Sequence, residues 1–317
     1  MHNQIIFQQI SILTLLALTG YAAQKFRMFP DGFHLGLNKL VMKITLPLMI
    51  FTSLSKIEFS LEVIKSSAFV LIFAYVSMFL LLAAGTLTGK LLRLKGGTYT
   101  VHQLHTTFGN IAFLGYPLID SLFPGGKGLF YAVIYHIALE SVLWTIGIII
   151  FNKGKSVSLG RSLMHLINPN TFAFVLGITA FIFRIRLPYI PDKTMTGLGS
   201  TTLYLSMIYI GITLSSISIK GTLKESSIYV LTLTKMILVP AVLIFLIDVI
   251  LSLTGLTMDT TAKAVTVLQT AMPCMATIVI MAGNFNSDAD LAAKNFFLTT
   301  VLSVFTMPLV YWLIEII

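Results

Sequence analysis

The feature that most constrains this chain is a succession of long apolar segments separated by short polar connections. Hydrophobic residues make up 56% of the 317 residues and charged residues only 10%, whereas soluble domains carry about 25% charged residues. An apolar segment of about 20 residues is long enough to cross a bilayer as a helix. We therefore predict an all-α polytopic membrane protein with ten spans, at residues 5–24, 35–55, 66–90, 102–122, 128–151, 167–184, 196–217, 227–252, 262–283 and 292–315.

The Lys and Arg residues lie mainly on one side of the predicted membrane. Thirteen of the 21 fall in or beside the connections that follow the odd-numbered spans, and seven fall on the other side. Because basic residues favour the cytoplasmic side, we predict extracytoplasmic termini and location in the plasma membrane. The basic residues form no dense run, so the net charge of +9 indicates the lipid bilayer and not nucleic acid as a partner.

The charged connection at residues 152–161 divides the chain into two halves of five spans, 1–155 and 156–317. An odd number of spans in each half gives the halves opposite orientations in the membrane. In each half the fourth span contains a helix-breaking sequence, Gly115-Tyr116-Pro117 or Met272-Pro273, because proline removes a helix hydrogen bond. The pattern predicts two inverted repeats with broken helices 4 and 9, and a binding site at the breaks.

Ionisable residues inside the spans are candidates for function, because their burial in a membrane is costly. His136, Glu140 and Trp144 share one helix face by their spacing, and a carboxylate and an imidazole one turn apart can relay a proton. A structural ion pair is the alternative. Lys235, near the middle of span eight, can hold an anion, pair with Glu140 or extend its ammonium to the membrane surface.

Uncharged polar residues also lie near the predicted breaks. Asn110, Tyr116 and Gln269 can contact a substrate or hydrogen-bond to neighbouring helices. We expect His102 and His105, at the start of span four, to lie at the membrane surface. The sequence contains no Walker motif, paired metal ligands or nucleophile elbow. It therefore predicts neither an enzyme nor an ATP-driven pump, and no cofactor beyond a coupling ion, H⁺ or Na⁺.

The stretch GNIAFLGYPL at residues 109–118 resembles the signature of the auxin efflux carrier family of membrane transport proteins. Further short motifs agree in order and spacing, so the resemblance covers essentially the whole chain: Leu46-Pro47-Leu48, Asn168-Pro169, Lys235 with Pro240, and Ala271-Met272-Pro273. It implies a ten-helix, two-repeat transporter with crossed broken helices 4 and 9. One domain is a scaffold of spans 1, 2, 6 and 7, and the other is a transport domain of spans 3–5 and 8–10. The architecture is similar to bile-acid symporters and sodium–proton antiporters, which often dimerise through the scaffold.

The resemblance implies transport of an organic anion, an auxin in plant members and malate or a related carboxylate in bacterial ones. The short connection at residues 152–161 is typical of the bacterial branch. Glu140 stands where plant members tend to carry a neutral Gln, which puts the plant substrate in doubt. Asn110 and Pro117 map onto residues near the bound anion in plant members. Because proline removes a helix hydrogen bond, we expect Pro117→Ala to let the helix close and to abolish transport.

We therefore expect an alternating-access transporter that works by a rocking or elevator movement. The residues expected to bind substrate are Asn110, Gly115, Tyr116, Pro117, Lys235, Gln269, Met272 and Pro273, and those expected to couple protons are Glu140 and His136. Import or export, and coupling to an ion or uniport, stay open. A cation/proton exchanger on the same fold and a membrane sensor that binds a ligand without moving it are the alternatives.

Overall fold

Helices make up most of the computed structural model, which describes residues 2–30, 32–57, 60–152, 167–217 and 222–316. The first half contains α1 (His2–Lys25), α2 (Phe33–Leu40), α3 (Leu46–Leu54), α4 (Leu61–Leu91), α5 (Gly96–Thr107), α6 (Tyr116–Leu122), α7 (Lys127–Val142) and α8 (Ile148–Phe151). The second half contains α9 (Pro169–Ile182), α10 (Tyr189–Ser215), α11 (Ser226–Leu233), α12 (Val239–Thr254), α13 (Thr260–Thr270), α14 (Ala276–Asn284) and α15 (Ala289–Ile316). A short 3₁₀ turn at Thr222–Lys224 precedes α11.

Six of the described helical segments are long and apolar enough to cross a membrane: Phe33–Leu54, Leu61–Leu91, Lys127–Phe151, Tyr189–Ser215, Ser226–Thr254 and Ala289–Ile316. Two shorter apolar segments cover Ile111–Leu122 and Pro169–Ile182. The chain is thus an all-α polytopic membrane protein, and helices lie on each of the ten predicted spans. The inverted repeat stays a prediction, and its boundary at residues 155 and 156 lies outside the described residues.

Four π-helical turns interrupt the regular helices in the described part of the chain, at Val41–Thr45, Ile111–Gly115, Leu143–Gly147 and Thr234–Leu238. A proline is the second residue after three of them: Pro47, Pro117 and Pro240. A proline ring clashes with the carbonyl four residues earlier. Each of those carbonyls belongs to the π-turn, whose wider backbone leaves room for the ring.

The prediction that Gly115 and Pro117 break span four is therefore wrong. Residues 111–122 are continuously helical, Gly115 has helical dihedral angles (φ −63°, ψ −51°), and Pro117 lies in the first turn of α6. The π-turn before α6 accommodates the proline without ending the helix. The break in this span lies earlier, at residues 108–110.

The described residues form two compact units. Unit 1 comprises those of Met1–Lys65, Ala112–Ile134 and Ile167–Ser216, and unit 2 those of Ser66–Ile111, Tyr135–Leu166 and Ile217–Ile317. Within unit 1, α1 packs along α10, where a Cβ added to Gly20 or Gly211 would overlap backbone atoms of the other helix. Small residues allow membrane helices to approach this closely. Unit 2 contains α5, α13 and α14, which build the candidate site.

Candidate functional site

The first helix break lies at Phe108, Gly109 and Asn110. Helix α5 ends at Thr107, and Phe108 has an extended backbone with φ −100° and ψ 124°. The chain becomes helical again at Ile111. A Cβ added to Gly109 would lie 2.9 Å from Cβ of Met272. Glycine therefore allows a second stretch of backbone to come close at this point.

The second helix break lies at residues 271–275. Helix α13 ends at Thr270 and α14 begins at Ala276, and Met275 is extended with φ −78° and ψ 128°. Met272 and Pro273 lie inside this interruption. Both Met272 and Cys274 are completely buried, so the broken backbone is covered by protein.

The two breaks are hydrogen-bonded to each other. Gly109 and Cys274 form an antiparallel bridge, in which the Asn110 N–H donates to the Pro273 carbonyl at 2.8 Å and the Met275 N–H to the Phe108 carbonyl at 3.3 Å. These bonds pair buried backbone groups that the interrupted helices would otherwise leave without a partner. The structure thus brings together the predicted site residues Asn110, Met272 and Pro273, whereas Gly115, Tyr116 and Pro117 lie beyond the bridge in the following helix.

Side chains from other segments cap the carboxyl end of α5, where a helix leaves carbonyls without intrahelical partners. The Lys235 Nζ donates to the Thr106 carbonyl at 3.0 Å, and the Cys274 Sγ donates to the His105 carbonyl at 3.7 Å. Lys235 is 0% exposed. No carboxylate of the described residues lies within ion-pair distance of it. Its ammonium therefore faces the negative end of the α5 dipole, and the predicted pair of Lys235 with Glu140 is not formed.

Neutral hydroxyl groups hold the carboxyl end of α13. The Tyr135 Oη lies 3.1 Å from the Thr270 Oγ1 and 2.8 Å from the Ser77 Oγ. The Thr270 hydroxyl also donates to the Thr266 carbonyl at 2.8 Å. Tyr135 is fully buried, so this small network connects α4, α7 and the end of α13 away from solvent.

Three buried amide side chains in unit 2 have polar atoms without a hydrogen-bond partner among the described residues. They are the Nδ2 of Asn110 and both side-chain polar atoms of Gln269 and Asn295. Each of the three residues is at most 2% exposed. An unpaired buried polar group costs about 1–3 kcal/mol. These amides therefore offer donors and acceptors that a bound molecule can use.

The predicted proton-coupling residues also lie together in unit 2. The Glu140 Oε1 is 3.2 Å from the His136 Nε2, and the Trp144 Nε1 donates to the Glu140 Oε2 at 2.6 Å. The Glu140 and His136 side chains are 20% and 10% exposed. Both carboxylate oxygens of Glu140 therefore have a polar partner on the same helix face. In this position Glu140 can either exchange a proton with His136 or stabilise this part of α7.

A family model described as "Membrane transport protein" matches residues 5–311. The chain belongs to this family. It is the auxin efflux carrier family, so the resemblance found in the motifs is confirmed over nearly the full length. Membership makes this protein a membrane transporter, without specifying its substrate or mechanism.

Archaeal transporters are among the relatives of this membrane transport protein. An uncharacterised transporter of Methanocaldococcus jannaschii is 25% identical over 315 residues, which cover 96% of this chain and 97% of the relative. An uncharacterised transporter of Methanothermobacter thermautotrophicus is 26% identical over 312 residues, 95% of each chain. The mouse lysosomal cholesterol signaling protein is 23% identical over 94% of this chain but only 36% of its own length.

Several residues at the breaks of this transporter were missed or misplaced by sequence reasoning. Asn295 and Tyr135 were not singled out, although an Asn in an apolar span is a signal in itself. His102 and His105 are buried within the protein, at 1% and 0% exposure, and their place at the membrane surface stays a prediction. The His105 Nε2 lies 3.3 Å from the Met275 carbonyl, because α5 begins earlier than the predicted span and carries both histidines into unit 2.

Proposed function

We propose that this protein is a secondary active transporter that moves a small organic anion across the plasma membrane by alternating access. The substrate class is a carboxylate such as malate, or an auxin-like acid. The observation that carries the proposal is the buried bridge between two helix breaks, because broken helices at membrane depth mark the binding sites of several transporter folds. Membership of the membrane transport protein family supports it.

The chemistry around the bridge suits an anion. The nine-residue helix α14 begins directly after the second break, and a helix amino terminus presents N–H donors and the positive end of its dipole. The amides of Asn110 and Gln269 add side-chain donors, and Lys235 places a positive charge beside the first break. We propose Asn110, Gln269, Met272 and Pro273 as the substrate-binding residues. Gly115, Tyr116 and Pro117 are left out because they lie in the continuous helix beyond the break.

We further propose that Glu140 and His136 link transport to protons. A carboxylate held between an imidazole and an indole N–H can change its charge when the hydrogen bonds around it rearrange. Glu140 also lies in unit 2 with the bridge, so a change at α7 acts on the unit that contains the proposed site.

The proposed organisation is the two-repeat transporter inferred from the sequence, in which crossed broken helices move with a transport domain. The grouping of α1–α3, α9 and α10 in unit 1, and of α5, α8 and α11–α15 in unit 2, supports a scaffold and a transport domain. The helix α6 and the first half of α7 group with unit 1, so in this proposal they move with the scaffold. An elevator movement, a homodimer formed through the scaffold, and extracytoplasmic termini belong to the same proposal.

Uptake of labelled malate into proteoliposomes tests the proposal, with the internal and external pH set independently. We expect uptake that follows the pH gradient and is inhibited by other small carboxylates. Glu140→Gln should remove the dependence on the gradient. Glu62→Gln, which changes an exposed carboxylate in the first turn of α4, is the control and should leave uptake unchanged.

The outcomes separate the parts of the proposal. Uptake that does not depend on the pH gradient and is unchanged by Glu140→Gln would indicate a uniporter. Glu140 would then have a structural role. Absence of flux for malate and auxin-like acids, in liposomes that contain folded protein, would refute organic-anion transport.

A membrane sensor is the second candidate, favoured by the likeness to the mouse lysosomal cholesterol signaling protein. That relative carries nearly two thirds of its length outside the aligned part, so its activity does not transfer directly. Ligand binding by the purified protein without flux in the same liposomes would favour the sensor over the transporter.

A further inference from the structure

Lys235 places a buried positive charge beside the first break, but the proposed function does not explain why its hydrogen-bond partner is a backbone carbonyl. Its Nζ is directed to a backbone carbonyl, that of Thr106, at the end of the first half-helix. We propose that Lys235 is a built-in cation that holds the carboxyl end of α5 at the bridge, so that it positions the substrate site without contacting the substrate. The part of this inference that concerns transport depends on the proposed function, and the part that concerns the bridge does not.

The groups on both sides of this hydrogen bond are held in place. The Thr106 hydroxyl donates to the His102 carbonyl at 2.7 Å, and a Cβ added to Gly85 of α4 would lie 2.8 Å from the Thr106 Cβ. Lys235 lies in the π-turn Thr234–Leu238, and the next residue, Met236, is 4.0 Å from the Thr306 hydroxyl of α15. The ammonium therefore connects the π-turn Thr234–Leu238 to the end of α5, and both of these segments are held by further contacts.

The contrast with α13 indicates why a charge is present here. The end of α13 is held by the neutral Tyr135 hydroxyl, whose burial costs much less than burial of an ammonium. A lysine at the end of α5 is explained if its full positive charge is needed against the negative end of the helix dipole.

Cys274 provides a built-in probe of this arrangement. It is the single cysteine of the chain and is 0% exposed. Its backbone forms the bridge with Gly109, and its Sγ donates to the carbonyl of His105, the residue before Thr106. Movement of the α5 end should therefore expose the thiol.

The test is the rate at which a small maleimide alkylates Cys274 in the purified full-length protein, measured by mass spectrometry. Lys235→Met removes the donor and the charge, and we expect it to raise the rate by about tenfold or more, since a charge-assisted hydrogen bond opposes local opening. Lys235→Arg should give a rate near that of the wild type. Lys263→Met is the matched control, because Lys263 pairs with Asp248 at 2.7 Å in the same unit and lies in the first turn of α13, about two turns before the helix ends at the break.

An unchanged rate in Lys235→Met would overturn the proposal, and so would equal increases in Lys235→Met and Lys263→Met, which would indicate general loosening. If Lys235→Met does not fold, Lys235→Gln replaces it, because Gln keeps a donor without the charge. An alkylation rate for Lys235→Gln that lies between the rates for Lys235→Arg and for unfolded protein would support a role for the positive charge. A rate equal to that of Lys235→Arg would refute that role.

Transport kinetics give an independent measurement. A positioning role predicts that Lys235→Gln lowers kcat for every substrate while KM changes by less than about threefold, and that Lys235→Arg keeps kcat near that of the wild type. A selective rise in KM with an unchanged kcat would instead show direct substrate contact and overturn the proposal. If no substrate is transported at all, the proposed function fails, and the alkylation rates still decide the role of Lys235.

Discussion

The two helix breaks form one bridge but are built from different residues. At the first break, glycine at position 109 gives room for the facing backbone, and a lysine ammonium caps the preceding helix. At the second break, Pro273 lies in the interruption, and a tyrosine hydroxyl holds the preceding helix. The first break thus depends on the small size of Gly109 and on the positive charge of Lys235. The second break depends on the missing N–H of Pro273 and on neutral hydroxyl groups.

This difference shows that proline alone does not mark a helix break in this chain. Pro47, Pro117 and Pro240 each follow a π-turn and lie within continuous helices. Pro308 lies within the continuous helix α15 without a preceding π-turn. Pro273 differs from these four prolines because its carbonyl accepts a bond from the other break.

The largest effect is expected from Gly109→Ala. The new Cβ would lie 2.9 Å from the Met272 Cβ, so the bridge must open or the second break must move. Overpacking of this kind costs about 1–3 kcal/mol, and we expect a lower melting temperature and loss of uptake. Gly283→Ala in α14 is the control, because nothing lies within 4 Å of its added Cβ. Equal melting temperatures for the two variants would refute the close approach at Gly109.

The next largest effect is expected from Pro273→Ala, and it should differ from the effect of Pro117→Ala. Pro273→Ala introduces an N–H into a buried break, and an unpaired buried donor costs about 1–3 kcal/mol. Pro117→Ala should cost less than about 1 kcal/mol, because its N–H can join the helix around the π-turn. We therefore expect strongly reduced uptake and a lower melting temperature for Pro273→Ala, and near-normal values for Pro117→Ala. Loss of transport in Pro117→Ala alone would restore the original prediction that this proline forms the break.

Sequence reasoning recognised the class, the family and the second break, because apolar length and short motifs are properties of consecutive residues. It misplaced the first break, because the space around Gly109 is set by Met272, which is distant in the chain. It also identified Lys235 but not its partner. A sequence does not indicate which backbone carbonyl, such as that of Thr106, a lysine will bind. It also does not indicate the π-turn that accommodates Pro117 within a continuous helix.

A smaller effect is expected at the neutral helix end. Tyr135→Phe removes the hydroxyl that lies between Ser77 and Thr270. A hydrogen bond between membrane helices contributes about 0.6–1.7 kcal/mol, so the melting temperature should fall modestly and less than in Gly109→Ala. Tyr204→Phe, at a side chain that is 54% exposed, is the control. A larger loss for Tyr135→Phe than for Lys235→Met would show that the neutral end, and not the charged end, stabilises the bridge.

The smallest effect on stability is expected from Asn295→Leu, which tests whether unpartnered amides serve a ligand. Both polar atoms of the Asn295 side chain lack a hydrogen-bond partner among the described residues, so an apolar side chain with the same branching and number of heavy atoms should change the free energy of unfolding by less than about 1 kcal/mol. Uptake should nevertheless fall if the amide contacts the substrate or shapes its site. Melting curves and uptake rates of the same preparations show whether Asn295 serves stability or transport. A large loss of stability would show that Asn295 has a structural partner, and unchanged uptake would remove it from the site.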